Sequence, residues 1–223
     1  SDFADVPAGI GGGWDGFRGT PELVCMFDYQ DNANPKADEI LDKRGIFYDK
    51  HRSIDITTSV TGTFTTEGWS VYKYTNLRSD GQPGSNTTFP DTDFPMFRLA
   101  DVYLMYAESV ARGGQGGSMV MAVQYINALR QRAYGDTAHG VTEAWLTENN
   151  YRNILDERCR ELYWEGTRRT DLIRYGLFTS ANYLWTFKGG VLSGTGVSGR
   201  YNVFPIPTTD LSVNANLKQN GGY

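Results

Sequence analysis

A mainly α fold, with a loop-rich first half and a small β-hairpin, is what this 223-residue sequence predicts. Three observations lead there. The apolar period becomes helical at Arg98 and stays so through three successive segments. Residues 1–97 are rich in glycine and turn signals, with little periodicity of any kind. Two short runs in that half, SIDITTSV (53–60) and WSVYKYTN (69–76), are β-branched or aromatic and alternate. The chain therefore divides into a loop-rich region (1–97), a helical region (98–178) and a loop-rich tail (179–223).

In chain order, five glycines between Gly9 and Gly16 crowd around Trp14 and make that stretch loop. TPELVCMF (20–27) carries an N-cap threonine and a proline at the first helical position, the signature of a short helix. The two alternating runs predict a hairpin across TGTFTTEG. A polar loop, SDGQPGSNTTFPDTDFP, leads into the helices. In the first, Leu99, Val102, Tyr103, Tyr106 and Val110 form the expected apolar stripe, with Ala107 and Ala111 permitting close approach. GGQGGS (113–118) ends it, and Ser118 is placed to cap the next helix. There Met121, Ala122, Tyr125, Ile126, Leu129 and Ala133 share a face, so the two helices predict an antiparallel αα-hairpin. A third helix is expected from about Asn150 to Glu165 and a shorter one over TRRTDLIRYG.

Composition limits the function. A net charge of −5 disfavours a nucleic-acid partner, which rewards a basic face. No long apolar run or signal peptide is visible. Aromatic residues make up 13% of the chain, enough to fill a core and leave rings for exposed stacking surfaces. Cys25 and Cys159 read as two buried thiols, or as a pair in an oxidising compartment. The abrupt opening, SDFADVPAGIGGGW, reads as an entry point within a longer protein.

Glu157, Glu161 and Glu165 recur four residues apart in ILDERCRELYWEG and pose the catalytic question. Arg158 enters the apolar stripe of Tyr151, Ile154, Leu155, Cys159 and Leu162, and a cation there needs a carboxylate partner. Glu161 is the expected partner, with Arg168, Asp171 and Arg174 extending the network. Carboxylates along one helix edge, neutralised by arginines, leave no room for the sugar that a glycosidase pair must flank. No catalytic residues are assigned, and no enzyme is expected. His51 and His139 lack metal-ligand spacing.

RLADVYLMYAESVARGG, YINALRQRA, ILDERCRELYWEGTRRTDLIRYGLF and YNVFPIPTTDLSVNANLKQNGGY occur in the order of the C-terminal blocks of the SusD/RagB family. The chain resembles that family from about Trp14 to Tyr223, and GWSVYKYTNLRSDGQPGSNTTFPDTDFPMFRLADVYL and NYLWTFKGGVLSGTG resemble its starch-binding branch. The resemblance implies tetratricopeptide-like helix pairs, an α-α superhelix, supporting an irregular ligand-binding region. It implies a surface-exposed outer-membrane lipoprotein that captures starch or malto-oligosaccharide for a SusC-like TonB-dependent transporter. The lipid-anchor cysteine of the family lies upstream of anything in this chain. A scaffold docking on the transporter, with another glycan specificity, is the alternative.

From the residues alone Trp14 reads as a partly buried core ring; the resemblance reverses that, because Trp14 stands where the starch-binding branch presents a stacking tryptophan. Asp15 and Arg18 lie close enough in sequence to add polar ligand contacts. Trp69, Trp145, Trp164 and Trp185 are read as packing. Asp91 and Asp93, in PDTDFP, read as an Asx turn at a helix entry or as the start of a calcium site. The resemblance, whose starch-binding branch binds calcium near this block, keeps both readings open; no cofactor is required, and calcium is the one the resemblance allows.

Overall fold

The computed structural model of the protein describes residues 8–11, 17–58, 63 and 65–223. The chain forms two compact units, Ser1–Arg168 and Arg169–Tyr223.

The first unit combines a three-stranded antiparallel sheet with a helical layer. The strands are β1 (Arg18–Gly19), β2 (Phe47–Tyr48) and β3 (Trp69–Val71), ordered β1-β3-β2. Arg18 lies opposite Ser70, and Phe47 opposite Val71. The hairpin expected between residues 53–60 and 69–76 does not form. Both edges of β3 are occupied by β1 and β2, and Ser53 makes only an isolated parallel bridge to Glu67. A short helix, α1 (Pro21–Val24), follows β1 with proline in its first turn, as the sequence predicts. Against the sheet packs an aromatic core of Phe27, Tyr29, Phe47, Trp69 and Tyr163. Phe27 meets Phe47 and Tyr163 edge to face, at centroid distances of 5.3 and 5.5 Å.

The helical layer is the predicted αα-hairpin, α2 (Leu99–Ala111) and α3 (Met119–Tyr134), with α4 (Glu143–Thr147) and α5 (Arg152–Leu162) packed on it. Ser118 caps α3, its Oγ accepting from the Met121 amide at 3.3 Å. Gly135 closes α3 at φ +85°, a left-handed position that suits glycine. The core joins Leu104, Ala107, Ala122, Ile126, Leu146 and Ile154. The stripe of α2 is rotated from the one expected. Ala100, Leu104 and Ala107 are buried, while Leu99 and Val102 are at least half exposed. Tyr103 and Tyr106 still pack against the core, and Tyr103 stacks on Tyr125. On α3 the stripe holds for Ala122, Ile126, Leu129 and Ala133, but Met121 is exposed.

The helix expected to reach Glu165 stops at Leu162. Tyr163 leaves it with ψ 144° and Trp164 takes φ +65°. That turn explains a second correction: Trp164 is exposed, with its ring edge to face with exposed Phe17 at 5.6 Å. Trp69 is buried as expected, and Trp145 is half-buried against the helical core. No disulfide joins the cysteines; Cys159 is buried, but Cys25 is exposed, against expectation.

The second unit contains α6 from Arg169 onward (Arg168–Arg174) and α7 (Thr208–Val213), joined by turns. Its organiser is Lys188, whose buried Nζ donates to the carbonyls of Leu177, Ser180 and Tyr183. The tail is tied by Gln219, which exchanges two hydrogen bonds with the backbone of Ile206.

Candidate functional site

The described residues on either side of the stretch expected to bind sugar are built into the first unit. Trp14 and Asp15 themselves lie outside the described residues. Downstream of them, Arg18 and Gly19 are a strand of the sheet. Upstream, residues 8–11 dock on the 76–91 loop chiefly through Asn76, with the Gly11 amide also donating to the Thr87 carbonyl at 3.2 Å. The Asn76 amide donates to the Ala8 carbonyl at 2.7 Å, and its Nδ2 donates to the carbonyls of Gly9 (2.9 Å) and Asn86 (2.8 Å). Its Oδ1 accepts from the Asp91 amide at 2.9 Å. Gly9 is required here: at φ +68°, a Cβ would sit 2.5 Å from the Asn76 carbonyl oxygen. Asn76 is 3% exposed, so this junction is a satisfied buried amide rather than a mobile surface contact.

Arg18, expected as a ligand contact, points its guanidinium at the neighbouring turn. Nη1 donates to the Thr63 carbonyl and hydroxyl at 3.3 Å each and to the Glu67 carbonyl at 3.1 Å. Burial lowers its pKa from the ordinary arginine value. In this geometry Arg18 fastens the strand end to the 63–67 turn.

Asp91 belongs to the same junction as the root of the Trp14 loop. Both of its oxygens accept from Ser85, from the amide at 2.6 Å and the hydroxyl at 2.8 Å. Those bonds hold its carboxyl below the ordinary value. Asp93 is exposed and lines a neighbouring 280 Å3 cavity with Ile10, Tyr74 and Phe94. Among the described residues no three His, Cys, Asp or Glu side chains gather as a metal site. Calcium wants six to eight oxygens, so the described residues fit it only in part, through Asp91 and Asp93.

The three glutamates are the other candidate, and two of them, Glu161 and Glu165, border a 370 Å3 cleft. Every oxygen of the three is bound by a cation. Glu157, fully buried, receives Arg44 on Oε1 at 2.7 Å and Arg130 and Arg160 on Oε2 at 2.8 and 2.7 Å. Glu161 receives Arg98 on Oε1 at 2.6 Å, and Arg132 and Arg44 on Oε2 at 2.5 and 3.3 Å. Glu165 is held by Lys73 at 2.5 Å and by Arg98 at 2.7 Å. Asp42 completes the group by a two-point contact with Arg44.

Burial pushes the Glu157 carboxyl up, but Arg160, Arg44 and Arg130 outweigh it and leave the group well below the ordinary range. Glu161 is lowered too: burial opposes this, and hydrogen bonds from Arg132 and Arg98 overcome it. A general acid needs the opposite displacement, toward neutrality. These carboxylates cross-link the fold. The expected Arg158–Glu161 pair is corrected, since Arg158 reaches Asp101 on α2 at 2.8 Å and Glu161 is served by the three other arginines. Arg168 approaches Asp156 at 3.7 Å, and Arg174 pairs with Asp171 at 2.7 Å.

Sequence reasoning missed Asn76, Arg44, Arg98, Arg130 and Arg132. An asparagine inside YKYTNLR carries no spacing signal, and the arginines meet the glutamates only through tertiary packing.

A model of the SusD family matches residues 55–223. The starch-binding protein SusD of Bacteroides thetaiotaomicron is 47% identical over 159 residues, which is 71% of this chain and 26% of that protein. A SusD-like protein of Formosa agariphila is 32% identical over 185 residues, 78% of this chain and 32% of its own length. The chain thus spans between a quarter and a third of the length of these curated relatives. Among solved structures, surface glycan-binding protein A of Bacteroides thetaiotaomicron is similar with a TM-score of 0.51 and 26% identity. That match covers 70% of this chain and 31% of the other. A SusD superfamily protein of Bacteroides fragilis shares the fold with a TM-score of 0.50 at 24% identity, over 91% of this chain and 40% of the other.

Proposed function

The chain belongs to the SusD family, and we propose that it serves the capture of starch or malto-oligosaccharide, without catalysis, at the outer surface of a bacterial outer membrane. The observation that carries this reading is the 47% identity to the starch-binding protein SusD over 159 residues. Binding without turnover agrees with the chemistry of Glu157 and Glu161, whose carboxyls are held below the ordinary range and bolted to arginines. On this reading Trp14 stacks on the aliphatic face of a sugar ring, and Asp15 contacts hydroxyls. Arg18 supports the loop through Thr63 and Glu67. Anchoring by a lipid and delivery to a SusC-like TonB-dependent transporter belong to the same proposal, as does a calcium ion at Asp91 and Asp93 near the loop root.

Calorimetric titration of a malto-oligosaccharide into the protein tests the reading. Trp14→Ala should weaken binding about thirtyfold, the cost of truncating one stacking hot spot. The melting temperature should hardly move, because an exposed ring leaves no cavity behind. Unchanged affinity in the variant would remove Trp14 from the site, and release of reducing sugar from starch would overturn the non-catalytic reading.

A further inference from the structure

The second unit carries a groove of 460 Å3, within the range of about 300–1,000 Å3 typical of ligand sites. Its walls include the rings of Phe178, Trp185, Tyr201, Phe204 and Tyr223, with Arg169 among them. Tyr201, Phe204 and Tyr223 are 43%, 70% and 42% exposed, so part of each ring is open to a ligand. Arg200 lies over the Tyr201 and Tyr223 rings at 4.9 and 5.4 Å. Arg169 lies over the Phe204 ring at 4.1 Å and over Phe178 at 5.0 Å. Rings on its faces leave the guanidinium edge as the binding surface. One N–H of that edge, on Nη2, donates to the Tyr201 carbonyl at 2.7 Å.

The electrostatics of this unit run against those of the chain. From Arg169 to Tyr223 there are five Arg or Lys and two Asp residues, in a chain that has 21 basic and 26 acidic residues overall. The two acids, Asp171 and Asp210, do not line the groove. Lys188, in the groove wall with its ammonium 4.5 Å from the Trp185 ring centre, is held by carbonyls and not by a carboxylate. Arg169 likewise has no carboxylate at ion-pair distance among the described residues, unlike Arg44 or Arg98 in the first unit. A guanidinium in contact with two rings, in a groove whose lining carries no acidic side chain, is placed to receive an anion.

We propose that this groove binds an acidic saccharide, a hexuronate unit whose carboxylate meets the Arg169 edge while its ring packs on Tyr201, Phe204 and Tyr223. A saccharide fits better than a peptide. Among the described residues the second unit has no strand whose edge an extended peptide could join, and its two helices are of seven residues or fewer. Exposed aromatic rings beside the Arg169 guanidinium suit a ring with a C–H face and a single carboxylate. The proposal does not depend on the starch reading.

The test is calorimetric titration of the 223-residue protein with trigalacturonate, and with a neutral trigalactoside as the uncharged counterpart. Trigalacturonate should bind at least tenfold more tightly than the neutral sugar, and added salt should narrow that margin. Arg169→Gln should remove the difference, and Arg169→Lys should retain part of it. Tyr223→Ala should weaken both sugars, leaving the charge preference in place. Equal binding of charged and neutral sugar, or no heat with millimolar trigalacturonate, would overturn the proposal. So would a simple dicarboxylic acid displacing trigalacturonate at equal concentration, which would mark a general anion groove. If Arg169→Gln fails to fold, the comparison of the two sugars on the unaltered protein still decides.

Discussion

Glu157 and Asn76 are both buried polar residues with several partners, and they hold two unlike regions together. Glu157 gathers arginines from three places: Arg44 before β2, Arg130 on α3 and Arg160 on α5 itself. Asn76 gathers backbone groups, the carbonyls of Gly9 and Asn86 and the amide of Asp91. The first arrangement fixes how helices and sheet meet; the second fixes where a loop starts. Charge is used where helices and sheet must be registered, and a neutral amide where loop backbone is stitched, even across the 67 residues from Gly9 to Asn76. Removing either residue leaves unsatisfied groups, but stranded buried charges cost more than stranded amides.

Glu157→Ala should therefore have the largest effect, a loss of about 3–5 kcal/mol in urea unfolding. The largely covered Arg130 and Arg160 would lose their carboxylate, and buried Arg44 one of its three. A change below about 1 kcal/mol would mean that water reaches the arginines. The same network sets the response to acid. The folded-state pKa of Glu157 and of Glu161 is depressed, so their stabilisation is complete above the ordinary value of 4.5 and is lost as pH falls below it. Unfolding free energy should fall steeply below about pH 4.5, and Glu157→Gln should flatten that slope. A slope identical in the variant would contradict the coupling.

Glu161→Ala should cost somewhat less, about 3 kcal/mol, since Arg132 is half exposed and can turn to solvent. Glu143→Ala, on the exposed face of α4, should stay within about 0.5 kcal/mol. Equal shifts for the two would show that burial does not distinguish them. Asn76→Ala comes next, at about 1–3 kcal/mol, with no dependence on pH between 4 and 8 because no charge is involved. Hydrogen exchange at the Asp91 amide, which donates to the Asn76 side chain, should rise in that variant. If protection there is unaltered, Asn76 does not hold the loop root.

The contrast also explains what was legible in the sequence. Periodicity found α2, α3 and the buried side of α5, and Ser118 marked its own cap. The sign logic was sound as well: a cation entering an apolar stripe demanded a carboxylate, and Arg158 has one. Its identity, Asp101, is 57 residues away, and spacing along one helix could only suggest Glu161. The sheet was hidden because β1 and β2 are two residues long, too short for alternation to register. Trp164 was misjudged because nothing local in LYWEG announces that the helix ends at Leu162 and turns the ring outward. Local rules read elements; they do not read which distant element occupies an edge or a charge.

The smallest expected effect tests whether the loop junction is more than a stitch. Asp91 is committed to Ser85 through both oxygens, yet a carboxylate has about four lone-pair positions and can serve a cation as well. Extracellular calcium modules bind at about 10⁻⁴–10⁻³ M, so millimolar calcium would raise the melting temperature by only a few degrees. Magnesium, which demands a tighter octahedron and holds its water, should do less. Asp91→Asn should abolish the calcium-dependent rise, and Glu157→Gln, in the other region, should leave it in place on a lower baseline. A melting curve that calcium does not move would sink the metal proposal and leave Asp91 as the cap of a turn, held by Ser85 and by the Asp91 amide on Asn76.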